Sequence, residues 1–236
     1  MNAVINYGKR KIHVRLIERN RKTLAITVKP DETVEIYMPA GADSARVLRR
    51  AGKKAKWMAK YLDYFEKNKH LAAKKEYVSG ESHSLMGKKY RLRIRKSVYE
   101  KIKVSGDFIY LYVNDIKNSG KKKALLYNWY KWQAEKRFAV ILASRIKRLK
   151  AYKIALPEFY IKYMKTRWGS CSPRKGRINL NLELIKTPKE CIEYIIDHEL
   201  IHFIHRSHDR NYYEMLSKTM PDWKERKNKL ERYEII

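Results

Sequence analysis

The motif with the clearest chemistry is His198–His202, which reads His-Glu-Leu-Ile-His. An α-helix makes one turn every 3.6 residues, so residues four apart share a face and the two imidazoles can bind one metal ion. Glu199, beside the first histidine, can then activate a water molecule on that ion. Four of the seven histidines fall within eleven residues, namely His198, His202, His205 and His208. This spacing predicts a catalytic Zn2+ site with Glu199 as the general base.

A catalytic zinc ion needs a third protein ligand and keeps one open position. His205 follows His198 by seven residues, a rise of about 10.5 Å on a regular helix, which is too far for both to hold one ion through bonds of about 2.0–2.1 Å. His208 is the predicted third ligand, because residues 206–207 can end the helix and turn the chain back. His205 is expected beside the site, as a support for a ligand, a contact of the substrate or a cation at the helix end. Weaker candidates for the third ligand are Asp209 and Glu214.

A second group of residues with chemical potential precedes this motif, in the string Thr166–Ser172. Arg167 is a candidate for binding a carboxylate or a phosphate, with an ordinary structural ion pair as the equal alternative. Trp168 and Gly169 favour a tight turn packed against the core over contact with a substrate. Cys171 is expected to be a small buried residue, since a sulfur ligand would overfill a site that already has three histidines.

Candidate contacts with a substrate come from a predicted strand and a predicted helix. The strand Arg177–Leu184 alternates apolar and polar residues, and it could border a cleft as an exposed edge to which a peptide adds as a further strand. Asn179 and Asn181 are its candidate substrate contacts. Tyr212 could donate a hydrogen bond to an oxyanion, although tyrosines that pack a helix are commoner.

The chain resembles the YgjP-like (DUF45), M48-type family of zinc metallopeptidases. The segments that carry the resemblance are Thr166–Ser172, Arg177–Asn181, His198–His202, His208 and Met220–Trp223. The resemblance covers nearly the whole chain, including Arg21–Leu24 and Leu85–Tyr90. It implies the zinc ligands His198, His202 and His208 and the catalytic Glu199. The family is similar to zincins such as the SprT-like proteases, some of which act at DNA.

The charge of the chain is its most extreme bulk property. Lys and Arg number 55 against 25 Asp and Glu, which gives a formal net charge of +30. Such a charge favours nucleic acid or another acidic partner. The basic residues are spread from Lys9 to Lys229, however, and a lysine-rich solvated surface is the simpler interpretation.

Other bulk features point to a soluble cytoplasmic protein. No run of about 18 apolar residues is present, so no transmembrane helix and no membrane partner are expected. The segment Met1–Tyr7 lacks the apolar core of a secretory signal, and two cysteines do not make a disulfide framework. No internal repeat with a solenoid period is visible.

Hydrophobic patterning indicates an α+β fold in two parts. Residues 1–118 are predicted as a β-rich region with one helix at about residues 44–65, capped by Asp43 or Ser44. A lysine-rich connector is expected at about residues 67–75. The predicted strands of this region are Ile12–Ile17, Thr23–Val28, Val34–Met38, Tyr90–Ile94, Lys101–Val104 and Phe108–Val113.

Residues 119–236 form the second predicted domain, with a boundary marked by the turn-prone residues 118–120. A long helix at about residues 122–149 opens it, followed by strands at Glu158–Met164 and Arg177–Leu184 and by the motif helix, near whose start stands Pro188. By the resemblance, this domain is a zincin-like metallopeptidase domain with an active-site helix and a small antiparallel sheet.

The leading functional prediction is a zinc-dependent metallopeptidase that acts on peptides or proteins, with recruitment to nucleic acid through its basic surface as an addition. A metal-dependent nucleotide hydrolase, which would cleave phosphoanhydrides, is the first alternative, although no glycine-rich phosphate cradle is visible. A basic nucleic-acid-binding protein with a structural zinc ranks last, because structural sites usually have four ligands and are rich in cysteine.

Overall fold

The computed structural model describes residues 1–29, 31–67 and 75–233. Its fold is α+β, as predicted, and it divides into two compact units, Met1–Lys74 and Lys75–Ile236. The predicted boundary between residues 118 and 119 falls inside the second unit, where the side chain of Asn118 caps a long helix. The predicted connector at residues 67–75 lies almost entirely outside the described residues.

The first unit is a four-stranded sheet followed by two helices. Its strands are β1 (Asn2–Tyr7), β2 (Arg10–Arg19), β3 (Ala25–Val28) and β4 (Val34–Pro39), in the order β1-β2-β4-β3. Its helices are α1 (Ser44–Gly52) and α2 (Ala55–Lys67). The predicted single helix is therefore two helices, and Asp43 caps the first by accepting hydrogen bonds from two backbone amides. Strand β2 alternates buried and exposed residues because one face of the sheet packs against both helices.

The second unit begins with another four-stranded sheet. Its strands are β5 (Ser82–Leu85), β6 (Lys88–Lys96), β7 (Lys101–Ser105) and β8 (Phe108–Val113), in the order β5-β6-β8-β7. The long helix α3 (Ser119–Arg148) packs against one face, where Leu126 meets Leu92, Ile109 and Leu111. The predicted strands β6, β7 and β8 and the long helix are confirmed.

The two four-stranded sheets have the same topology. In each, the first two strands form an antiparallel hairpin, the second and fourth strands are parallel neighbours, and the third pairs with the fourth in antiparallel fashion. A glycine in the left-handed region, Gly8 or Gly87, lies in each first turn. The chain thus repeats a folding unit that no solenoid period reveals.

A third sheet and three helices complete the second unit. The strands are β9 (Glu158–Lys162), β10 (Gly169–Ser172) and β11 (Arg177–Asn181), in the order β10-β11-β9. The helices are α4 (Lys189–Ile201), α5 (Arg210–Thr219) and α6 (Trp223–Leu230), and short 3-10 helices occur at Lys150–Tyr152, Pro173–Lys175 and Leu182–Lys186. The small sheet is mixed rather than wholly antiparallel, because β11 runs parallel to β9.

Two predictions about the strand Arg177–Leu184 were wrong. The strand is not an edge, because β11 pairs with β10 on one side and with β9 on the other. It also ends at Asn181, whose side chain accepts a hydrogen bond from the amide of Glu183 and starts a 3-10 helix. The two edge strands of this sheet are β9 and β10.

Helix α4 lies at the centre of the main core of the second unit. Its apolar residues pack with α3, α5, α6 and the third sheet, and Pro188 occupies its N-cap position. Within the described part of the chain, no helix combines the length and the apolar content needed to cross a membrane.

Candidate metal centre

Three histidine side chains converge at the C-terminal end of α4. One nitrogen from each of His198, His202 and His208 lies within 4.8 Å of the other two. The Nε2 atoms of His198 and His208 are 3.1 Å apart. Nitrogens that share one zinc ion through bonds of about 2.0–2.1 Å lie at most about 4.2 Å apart, so small side-chain movements suffice for one ion to bind all three.

The helix end explains how the third histidine reaches the other two. Helix α4 ends at Ile201, and His202 itself is the C-cap residue, so the helix stops earlier than residues 206–207. The following chain turns back, with the amide of His205 bonded to the carbonyl of Ile201, and α5 starts after Asp209. His208 lies in this connection and reaches His198, whereas the side chain of His205 is not part of the cluster.

His205 supports the cluster through its backbone. Its carbonyl oxygen lies 3.0 Å from Nδ1 of His202. This contact fits a tautomer that carries its proton on Nδ1, which leaves Nε2 with a free lone pair for a metal ion. The three roles predicted for the side chain of His205 stay predictions, since this contact belongs to the backbone.

Burial favours the neutral form of two imidazoles of the cluster, those of His198 and His208. Burial, followed by the nearby His202 and His208, lowers the pKa of His198 to about 3. Burial and His202 also lower the pKa of the more exposed His208. A neutral imidazole has the lone pair that a metal ligand requires, so the environment favours metal binding at ordinary pH.

Tyr212 of α5 forms one wall of the cluster. Its ring lies 5.4, 5.0 and 4.7 Å from the rings of His198, His202 and His208. Its hydroxyl donates a hydrogen bond of 3.1 Å to the carbonyl of His198, and its side chain is fully buried. This placement agrees with a packing tyrosine rather than with a donor to a substrate.

Glu199 sits in a narrow space between α4 and β10. Only 4% of the residue is exposed, and burial raises the pKa of its carboxyl group to about 8, with Arg167 acting in the opposite direction. A Cβ atom on Gly169 would lie 2.5 Å from Oε1 of Glu199 and 2.9 Å from its Cγ. Residue 169 must therefore be glycine for the glutamate to occupy this position. The sequence singled out Gly169 for a turn, but it lies in β10 and makes room for a side chain.

A buried ion pair fixes the helix that carries the cluster. Arg145 of α3 donates from Nε to Oδ1 of Asp197 at 2.6 Å and from Nη2 to Oδ2. Both side chains are almost fully buried, and burial raises the pKa of Asp197 against the opposing effect of Arg145. Asp197 directly precedes His198, so this pair holds the histidine's backbone. Sequence reasoning missed it because its members are 52 residues apart.

The remaining predicted site residues have varied placements. Asn181 is fully buried, and its amide donates to the carbonyls of Met164 and Arg167. Asn179 donates to Oγ of Ser170, while its own Oδ1 has no partner in the described part of the chain. Arg167 is exposed. Cys171 is half-buried, and burial followed by Glu199 raises the pKa of its thiol to about 12.

The weaker ligand candidates have other partners. Asp209 caps α5 by accepting from the amide of Tyr212, and Glu214 pairs with Arg210. Neither belongs to the histidine cluster, and neither does Cys171.

Comparison with known families agrees with this geometry. A family model described as the YgjP-like metallopeptidase domain matches residues 22–233. The chain belongs to the YgjP-like family. No curated protein matches it. Membership of this YgjP-like family supports a hydrolase, and the histidine cluster suggests a bound metal ion.

Proposed function

We propose that this YgjP-like protein is a zinc-dependent peptidase that hydrolyses peptide bonds in peptides or proteins. The observation that carries the proposal is the buried carboxyl group of Glu199, which lies against Gly169 and directly follows one member of a cluster of three imidazoles in the chain. Three neutral nitrogen ligands and one buried carboxyl group are the set that a catalytic zinc site of this type uses.

The donor set fits zinc in its number and chemistry. His198, His202 and His208 would hold the ion, and His208 is the exposed member, which leaves one side of the cluster open to solvent. A bound zinc ion would lower the pKa of a water molecule toward 7 and polarise a carbonyl group. Among the described residues, no cysteine or carboxylate joins the three histidines, which argues against a closed structural site.

Glu199 would act as the general base and then as the general acid. Burial raises the pKa of Glu199 to about 8. A carboxyl group whose pKa lies near the working pH can both take and return a proton. Glu199 would accept a proton from the attacking water and pass it to the leaving amine. A nearby metal cation favours the carboxylate form, since opposite charges stabilise it.

Strand β10 is the favoured place for the substrate backbone. It is an edge strand of its sheet, and Gly169 at its start touches Glu199. An extended peptide can pair with an open edge through main-chain hydrogen bonds alone. This proposal moves the substrate from β11, which is the central strand, to its neighbour.

The decisive experiment compares Glu199→Gln with the native chain after loading with zinc. The variant keeps the size of the side chain and all three histidines, so it should retain one equivalent of metal and lose about 10²- to 10⁴-fold in the hydrolysis of casein-derived peptides. Glu193→Gln on the same helix is the matched control and should keep full activity. Equal activity of Glu199→Gln and the native chain would refute the mechanism.

A nucleotide hydrolase is the second candidate, and the position of Arg167 favours it. Its guanidinium is close enough to Glu199 to lower the pKa of that carboxyl, and it is exposed. A cation beside the base could bind a phosphate group. Incubation of the zinc form with nucleoside triphosphates, beside the peptides, separates the two: release of phosphate or pyrophosphate without peptide cleavage would select this candidate.

A further inference from the structure

The β5–β8 sheet has one packed face and one open face. Helix α3 covers the first, while the second points to solvent. Along the central strand β8, the open face has three aromatic side chains, Phe108, Tyr110 and Tyr112. Their ring centroids follow one another at 5.9 and 6.5 Å. We call these three residues the aromatic column.

Cationic side chains flank the aromatic column on both sides. Arg91, Arg93 and Arg95 of β6 stand in register with Phe108, Tyr110 and Tyr112. Lys101 and Lys103 of β7 stand opposite Tyr112 and Tyr110. Two of these cations already lie over rings: Arg93 is 4.8 Å from the ring of Phe108, and Lys101 is 5.1 Å from that of Tyr112. The column and its five cations together make the basic aromatic face.

The charge of this face is not neutralised within the part of the chain that the structure describes. All five cations are exposed, and none has a carboxylate partner there. Two acidic residues occur between residues 88 and 113, and both form ion pairs with other lysines. Asp107 pairs with Lys88, and Glu100 pairs with Lys121. The exposed Tyr99 adds another ring in the β6–β7 connection, at the Tyr112 end of the sheet.

The first sheet shows that this arrangement does not follow from topology. On the corresponding open face of β1–β4, the central strand β4 has Glu35, which lies opposite Arg15. Lys29 donates to Glu35 at 2.5 Å, as does the hydroxyl of Tyr37. Its carboxylate therefore gives that face an internal anion, whereas the central strand of the second sheet has aromatic rings at its outward positions.

We infer that the basic aromatic face binds single-stranded nucleic acid. Rings in a row offer stacking surfaces to successive unpaired bases, and the flanking arginines and lysines would contact the phosphates on either side. Each element of the face matches one part of this ligand. This inference does not depend on the proposed peptidase activity, since no residue of the basic aromatic face belongs to the histidine cluster.

Single strands fit this face better than a duplex or an acidic peptide. The bases of a duplex are stacked on each other and cannot lie on protein rings, so the aromatic column would contribute nothing to duplex binding. An acidic peptide would use the cations and leave the rings without a specific partner. A dependence of affinity on the rings therefore distinguishes the three ligands.

The test is a titration of the full chain into a fluorescent oligodeoxythymidine about 16 nucleotides long, followed by anisotropy at several salt concentrations. Tyr110→Leu and Tyr112→Leu keep an apolar side chain in the strand but remove the stacking surface. Each should weaken binding by roughly 5- to 150-fold at fixed salt, the range for loss of one stacked base. Arg93→Gln and Arg95→Gln should each reduce the slope of log affinity against log salt by about 0.7, the value for one phosphate contact to a single strand.

Matched controls come from the same chain. Arg15→Gln removes an arginine from the same position of the first sheet, and Trp132→Leu removes an exposed ring of α3 that has Lys136 4.1 Å above it. Both should bind the oligonucleotide like the native chain. Circular dichroism and thermal unfolding of every variant show that the fold is intact.

Three results would overturn the inference. The tyrosine variants could bind as tightly as the native chain, which would make the rings irrelevant. The control Arg15→Gln could reduce the salt slope as much as Arg93→Gln, which would make the binding a property of the total charge. A duplex of equal length, a polyglutamate peptide or vesicles containing phosphatidylserine could bind with the same affinity and the same loss in the tyrosine variants, which would assign the face to another ligand.

Discussion

The metal centre and the basic aromatic face are built in opposite ways. Around the histidine cluster, Glu199, Asp197 and Tyr212 are buried, and each has a specific neighbour: Glu199 lies against Gly169, Asp197 pairs with Arg145, and Tyr212 donates to the carbonyl of His198. In the basic aromatic face, Arg93 and Lys101 stand in solvent on a sheet whose stability comes from its other side. A buried site couples function to folding, while an exposed face can change its side chains at little cost to the fold. Substitutions in the two regions should therefore differ in size and in kind.

The largest effect is expected at the ion pair below the metal centre. Arg145→Leu leaves Asp197 buried without its partner, which should lower the free energy of unfolding by about 3–5 kcal/mol. The double variant Arg145→Leu with Asp197→Leu removes both charges and should recover most of that loss. Urea unfolding of the three chains measures this. If the single variant unfolds at the native midpoint, the ion pair does not hold the site.

The next effect concerns the space beside Glu199, the proposed general base. In Gly169→Ala, the new methyl group would overlap the carboxyl group of Glu199 and displace it. A displacement near 1 Å can lower the rate by about 10²-fold, so kcat/KM should fall by that order while the zinc content stays the same. Gly120→Ala is the control, because its Cβ would lie at an ordinary 3.5 Å from Oδ1 of Asn118. Equal loss in both variants would show that the effect is not local to the base.

A smaller effect is the pH dependence of stability that comes from a buried histidine in the β5–β8 sheet. His83 of β5 is buried, and burial, followed by Lys75 and against the effect of Glu81, lowers its pKa to about 4. Because the unfolded chain has the higher pKa, near 6.5, it binds the proton first, and stability should decrease as pH falls from about 6.5 toward 4. The free energy of unfolding should fall by about 1–3 kcal/mol at most over this pH range. The free energy of unfolding is measured for the native chain and for His83→Gln between about pH 7 and pH 4. The difference between the two curves gives the contribution of His83.

Parallel curves for the native chain and His83→Gln would contradict this prediction. Metal-free protein is required in both cases, since any metal binding by the histidine cluster would itself depend on pH.

The smallest effect is expected on the basic aromatic face itself. Arg93→Gln and Arg95→Gln remove exposed charges without a carboxylate partner in the described residues, so the free energy of unfolding should change by less than about 0.5 kcal/mol. The same urea unfolding measures it. A loss of several kcal/mol would show that these arginines stabilise the sheet, and the contrast between the two regions would disappear.

The metal cluster could be predicted from the sequence because its chemistry is local. His198, His202 and His208 lie within eleven residues, so helix geometry and one turn were enough to bring them together. The neighbours of that cluster could not be predicted in the same way. Gly169 and Arg145 approach it from other elements, and only the packing of α3 and β10 against α4 reveals them.

Strand predictions show a similar limit. The alternation of Ile178, Leu180 and Leu182 indicated a strand with one packed face, but alternation carries no information on whether a strand has one neighbour or two. It also continued past the true end of β11, because Leu182 and Leu184 are buried in a 3-10 helix. The basic aromatic face could not be predicted for a similar reason. Its rings and cations become neighbours only through the pairing of β6, β7 and β8, and the alternation within one strand does not reveal that pairing.

The short sequence distance between the three histidines has a consequence for the order of folding. Joining residues 198 and 208 closes a small loop, so the entropy lost is low, whereas the contact of Gly169 with Glu199 and the pair Arg145–Asp197 close much longer loops. A nascent or partly unfolded chain can therefore capture the ion as soon as α4 and its turn exist. The proposed hydrolysis also requires β10 and α3 to have packed against α4. On the proposed function, metal uptake and catalytic competence are thus separate events, and a chain caught between them would carry the ion without hydrolysing peptides.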